Sequence, residues 1–221
     1  MKKLGKKVAL ALAGVMIVGV LGGCGNSFDA SKYLQAILDN SYKNDSSAIV
    51  EMKIGTKEEA TAIYEQGMDA QIDMMTASVN LTEEQKTQYK ELYANIFGQA
   101  KYTVGEAEKQ EDGSYVVTVS YEQMNIFEPA MTAYLDKVAQ IITEMATAQT
   151  QPTDEELKKE MVDALRVCME ESLNHVTYEE VATTTVRIEV VDKEWKPNEE
   201  DIQKLTNLLF DNEDATNGLM Q

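Results

Sequence analysis

Two thiols, one imidazole and 38 carboxylates are the groups of this 221-residue chain that could do covalent or acid–base chemistry. Nucleophilic catalysis by a Ser/His/Asp or Cys/His set needs a base beside the nucleophile. His175, the one histidine, falls near the end of a predicted helix, where the dipole favours a cation. Cys168 lies on an apolar stripe between Leu165 and Met169, the setting of a buried, inert thiol. A zinc site would need further nitrogen or sulfur ligands, and no glycine-rich phosphate loop is present. Carboxylates pair at Glu58-Glu59, Glu83-Glu84, Glu155-Glu156, Glu170-Glu171, Glu179-Glu180 and Glu199-Glu200. Three of these pairs open predicted helices, where the N-terminal dipole favours negative charge, and the others read as solvated surface. Asp211-Asn212-Glu213-Asp214 lacks the spacing and glycine of a calcium loop. No catalytic residue, metal or cofactor is expected from these patterns, and the remaining thiol, Cys24, points to modification instead.

Lys2, Lys3, Lys6 and Lys7 precede an uncharged run from Val8 to Leu21, followed by Gly22, Gly23 and Cys24. A charged start, an apolar run and a small-residue exit make up the layout of a secretory signal. As a helix the run spans about 21 Å, short of the ~30 Å of a hydrocarbon core, so a permanent transmembrane anchor is the weaker reading. The lysines hold the N-terminus on the cytoplasmic side and direct the rest of the chain outward.

Leu21-Gly22-Gly23-Cys24 resembles the lipobox of bacterial lipoproteins, with Leu at −3, small residues at −2 and −1, and Cys at +1. The resemblance implies a diacylglyceryl group on the Cys24 sulfur, cleavage between Gly23 and Cys24, and display on the extracytoplasmic face of the cell membrane. The other reading of the same layout is an ordinary signal peptide in which Cys24 is incidental. If Cys24 becomes a thioether, Cys168 has no intramolecular partner, and the fold must stand on its core without a disulfide.

Charge narrows the partners. Without the first seven residues the chain carries 16 basic against 38 acidic groups, a net −22. Nucleic acid, whose binding needs cations to displace counterions, is excluded as an expected partner. Anionic lipid should repel such a body, which leaves the acyl anchor as the attachment.

The elements that must hold these groups read as α+β. Segment 1–23 is taken as the signal peptide, 24–28 as a short tether beginning at lipidated Cys24, 29–210 as one domain, and 211–221 as an acidic flexible tail. Asp29 caps a first helix with Tyr33, Leu34, Ile37, Leu38 and Tyr42 on one face, ended by Asn44-Asp45-Ser46-Ser47. Capping boxes at Thr56, Thr82 and Thr153 open three more helices, and Gly98 is a plausible stop for the second of these. Lys101–Lys109 and Ser114–Tyr121 flank Asp112-Gly113 as a hairpin, with Tyr115, Val117 and Val119 on one face. A helix from Pro129 carries the stripe Met131, Tyr134, Leu135, Val138, Ile141, Ile142 and Met145. Val181–Val191 alternates as a strand closed by Trp195, and Pro197-Asn198 starts a last helix. The expected architecture is an antiparallel sheet of three to four strands packed against several amphipathic helices. Residues 60–77 overlaid on 130–147 match at Ala, Tyr, Ile and Met, and the order helix, helix, strand recurs. That recurrence suggests a duplicated ααβ unit spanning 56–127 and 129–196.

Phe28-Asp29-Ala30-Ser31-Lys32-Tyr33 after the lipobox, the Asp112-Gly113 hairpin and Trp195-Lys196-Pro197 together resemble small lipoproteins of Gram-positive anaerobic bacteria. The helix-then-curved-sheet order also looks loosely like the NTF2-like or cystatin-like class, with the segment from Pro129 to Val176 as an insertion. These resemblances imply location more than activity. The methionines, Met68, Met124, Met131 and Met169 among them, are expected to fill gaps in helical cores, although thioethers could also line an adaptable groove. The expected function is a membrane-anchored, non-catalytic binding or interaction module engaging an envelope protein or a small ligand. The alternatives are a small solute-binding component of a transporter and an envelope hydrolase using converging carboxylates.

Overall fold

A computed structural model describes residues 19–20, 28–75, 81–147 and 152–210. The lipobox residues Leu21, Gly22, Gly23 and Cys24, and the segment 211–221, lie outside the described residues, as do the side chains of Met74 and Met75. Two residues of the apolar run, Gly19–Val20, form a short strand β1.

Helix α1, Ala30–Lys43, starts where Asp29 accepts a hydrogen bond from the Lys32 amide at 3.0 Å, and it ends at Asn44 in the left-handed region. Its buried face, Tyr33, Leu34, Leu38 and Tyr42, is the expected stripe. The polar stretch after it does not stay irregular, because Ser47–Glu51 forms a short helix α2 that buries Ile49. Helix α3 is Lys57–Met75 and α4 is Glu83–Gly98. Gly98 is the last residue of α4, with Gln99 as a right-handed cap, so the glycine supplies no left-handed stop.

Strand β2, Lys101–Lys109, pairs antiparallel with β3, Tyr115–Glu122. Gly113 at φ 89° takes the positive dihedral that the turn demands. The register shifts between Val104 and Ala107, where a Cβ on Gly105 would meet the Thr118 carbonyl at 3.2 Å. Strand β4 is Met124–Asn125, and α5, Phe127–Thr147, begins two residues ahead of Pro129. Helix α6, Asp154–Asn174, leads to β5, Thr177–Tyr178, which pairs with β4 as a separate two-stranded ribbon that the sequence pattern does not announce. Strand β6 is Ala182–Val191 and β7 is Glu194–Pro197. Trp195 therefore sits in a strand of its own, reached through a tight turn at Asp192 and Lys193, both at positive φ. Helix α7, Glu199–Phe210, closes the described chain.

All pairings in the larger sheet are antiparallel, in the order β1-β7-β6-β3-β2, and the fold is α+β. The body residues supply four of these strands, and Gly19–Val20 adds a fifth against the outer edge of β7. One face of the sheet, with Val117, Val119, Val186 and Ile188, meets α1 and α7, and α4 packs against α1, in a core that includes Tyr42, Tyr93, Phe97 and Phe210. The thioethers of Met68, Met124 and Met169 are buried in the same core, as gap-filling predicts.

Helix α5 departs from expectation. Of its apolar stripe Ile141 is buried, whereas Leu135 and Ile142 are 61% and 59% exposed. The stripe is wider than its single neighbour α6 can cover, and no other described element packs extensively against it.

The three capping boxes form as expected. At the start of α6 the Thr153 amide donates to Glu156 at 2.8 Å, and the Glu156 amide returns a bond to Thr153 Oγ1 at 3.3 Å. Because Thr153 is exposed and its side chain bonds Glu156 in the capping box, Thr153→Ala is expected to cost about 1 kcal/mol. The check is a lowered urea midpoint with an unchanged m value.

Candidate functional site

The chain enters the domain at Phe28, four residues after Cys24, and Phe28 lies in an aromatic cluster. Its ring stacks on Trp195 at 4.3 Å with an interplanar angle of 6°. Tyr115 completes the group, edge-on to Trp195 at 5.4 Å and tilted to Phe28 at 5.6 Å. Tyr33 lies beneath them, and its hydroxyl donates to the Trp195 carbonyl at 2.6 Å, tying α1 to β7. Burial, with the Glu194 carboxylate adding to it, pushes the Tyr33 phenol up to about 12, so it stays a donor at physiological pH. Ser31 Oγ also donates to the Gly105 carbonyl at 2.7 Å, pinning the first turn of α1 to the bulge in β2.

Both flanks of Cys24 thus meet β7. Gly19 and Val20 pair with Trp195 and Glu194 through the backbone, and Phe28 stacks on the Trp195 ring. A bare strand edge accepts whatever backbone is nearest, which is why two residues from a run read as helix-forming appear as strand.

The other sequence candidates are dispersed. Cys168 is 7% exposed, and its thiol is pushed up by burial first and by Glu171 second, which keeps it protonated and inert. His175 caps the C-terminus of α6, as its position in the sequence implies. Glu58, Glu59, Glu83, Glu84 and Glu155 occupy helix first turns. Glu179 and Glu180 have a different setting. They line a cleft of about 430 Å³ beside the β4–β5 ribbon with Gln123, Asn125 and Glu128. Asn125 Oδ1 there is buried without a hydrogen-bond partner. Sequence spacing could not have found this cleft, because Glu128 reaches it from α5 across about 50 residues of chain. Among the described residues no group of three or more His, Cys, Asp or Glu side chains is arranged to hold a metal ion. The cleft can offer negative charge and amide hydrogen bonds, and its lining contains no thiol, hydroxyl or imidazole nucleophile.

No family model and no curated protein matches the chain. A solved structure that matches in fold is a candidate lipoprotein (ycdA) from Bacillus subtilis subsp. subtilis, 16% identical over 82% of this chain, with a TM-score of 0.55. The match covers 56% of that protein, so this chain spans little more than half its length. The likeness is one of fold. No described helix is long and apolar enough to cross a membrane.

Proposed function

We propose that this protein is an extracytoplasmic lipoprotein: Met1–Gly23 is removed, Cys24 is acylated, and the α+β domain is held at the outer face of the cell membrane. The observation that carries this reading is Leu21-Gly22-Gly23-Cys24 at the end of a lysine-headed apolar run, four residues ahead of Phe28. The match in fold to a candidate lipoprotein supports it. Two acyl chains on one residue hold a membrane stably where a single chain binds marginally.

Within that location the domain acts as a non-catalytic interaction module, whose partner is an envelope protein or a small ligand. The uncovered apolar face of α5 supports an interaction role, since such faces mark surfaces that other molecules cover. The acidic cleft favours a second reading, a solute-binding component that would take a cationic or hydrogen-bonding small molecule.

Metabolic labelling with a lipid precursor tests the anchor. The native chain should take up label and fractionate with membranes, and Cys24→Ala should lose both. Mass spectrometry that finds Met1–Gly23 retained, or a free thiol on a new N-terminal Cys24, would overturn it.

A further inference from the structure

We propose that the end of the sheet bearing Phe28, Tyr115, Val190 and Trp195 rests in the bilayer interface, so that the anchored domain has a defined orientation. This rests on the lipid-anchor reading of Cys24.

Strand register gathers the surface. Tyr115 faces Ile188, and Val190 faces Trp195, so these side chains share the helix-covered face of the sheet at the end where both hairpins turn. Deeper along that face Ile188 and Pro197 are buried. At the rim the cover runs out, and Phe28, Tyr115 and Trp195 are only half-buried, while Val190 is 49% exposed. Tyrosine and tryptophan with one wet end are the side chains that settle at the headgroup level of a membrane.

Chain length commits this surface to lipid. Cys24 to Phe28 is four steps, at most about 14 Å of extended backbone. Acyl chains inserted at Cys24 bring the headgroup region within that distance of the aromatic rings. A tether this short raises the effective concentration of the patch at the membrane to the millimolar range, so that a weak contact is populated. Charge does not select another face. Lys32, Lys109 and Lys193 stand near this rim against Asp29, Glu111, Asp112, Asp192 and Glu194, a slight local excess of acid like that of the chain as a whole, which without its first 23 residues carries a net −22. The contact is therefore apolar and does not require anionic lipid.

Trp195 is the single tryptophan and reports on its own surroundings. The lipidated protein purified from membranes would be reconstituted in phosphatidylcholine vesicles, with and without lipids brominated near the headgroup end of their tails. Trp195 emission is expected to fall about twofold with brominated lipid and to be shielded from iodide. Val190→Asp, at an exposed position that should not disturb folding, is expected to abolish the quenching while acylation and vesicle flotation persist. Acylated, vesicle-bound protein whose Trp195 is unquenched overturns the orientation and leaves the anchor standing. A Cys24 that mass spectrometry finds unmodified overturns both.

Discussion

Phe210→Ala is expected to destabilise the domain by about 3–5 kcal/mol, the cost of emptying a fully buried aromatic site. Phe210 is the last residue of α7 and is 0% exposed. Its ring meets Phe97 of α4 edge-on at 5.1 Å and Tyr42 of α1 at 5.6 Å, so three helices converge on it. Removing the ring loses the transfer free energy and both aromatic pairs, and helices crossing at this point cannot close the gap without shifting on the sheet. A domain stable by about 5–15 kcal/mol would lose a large part of that margin. Differential scanning calorimetry should register a Tm lower by about 10 °C or more. Leu135→Ala on the exposed side of α5 is the contrasting case and should stay within about 0.5 kcal/mol. A small effect of Phe210→Ala would mean that α7 is not part of the core.

Asp201→Asn is expected to cost about 1.5–2 kcal/mol at neutral pH, the worth of charge-assisted hydrogen bonds at a partly exposed site. Asp201 accepts from the Arg187 amide at 3.0 Å and from Arg187 Nε at 2.7 Å and Nη2 at 3.2 Å. The carboxylate fastens the first turn of α7 to β6, with the Asp201 amide held in turn by Asn198 Oδ1 at 3.2 Å. Partial burial works to raise its pKa, and the hydrogen bonds and charge of Arg187 outweigh burial, holding the group below its ordinary value. A carboxyl whose folded pKa is depressed binds protons more readily when unfolded. Its contribution is therefore complete above the unfolded pKa and is lost as pH falls through the folded one. Urea midpoints followed from pH 7 down to pH 2 should fall less steeply for Asp201→Asn than for the native chain. Parallel curves would show that the Arg187 contact carries no pH-dependent stability.

Much of the local structure is legible in the sequence. The boxes at Thr56, Thr82 and Thr153 involve groups three residues apart, and the reciprocal bonds form in the folded chain. Strand parity is equally legible: Val117 and Val119 are buried and Thr118 between them is exposed, because a pleat alternates whatever it packs against. The turn at Asp192-Lys193 escapes detection because neither residue is a glycine, although both hold positive φ. The α5 stripe misleads for a related reason. Apolar spacing reports what a helix can bury, while the number of neighbours that arrive decides what it does bury.

From sequence alone come the helix starts, the alternation of the strands, the acidic net charge and the lipobox-like run ending in Cys24, because each depends on residues within a few positions of one another. Tertiary structure alone decides that Phe28, Tyr115 and Trp195 share one rim, and that Glu128 meets Glu179 and Glu180 across a cleft. Those groups lie tens of residues apart or more, and only the pairing of β3, β6 and β7 and the return of the chain after α6 set their distances. Sheet register is a property of the assembled core, in which one face must be buried, and no short stretch of chain encodes it.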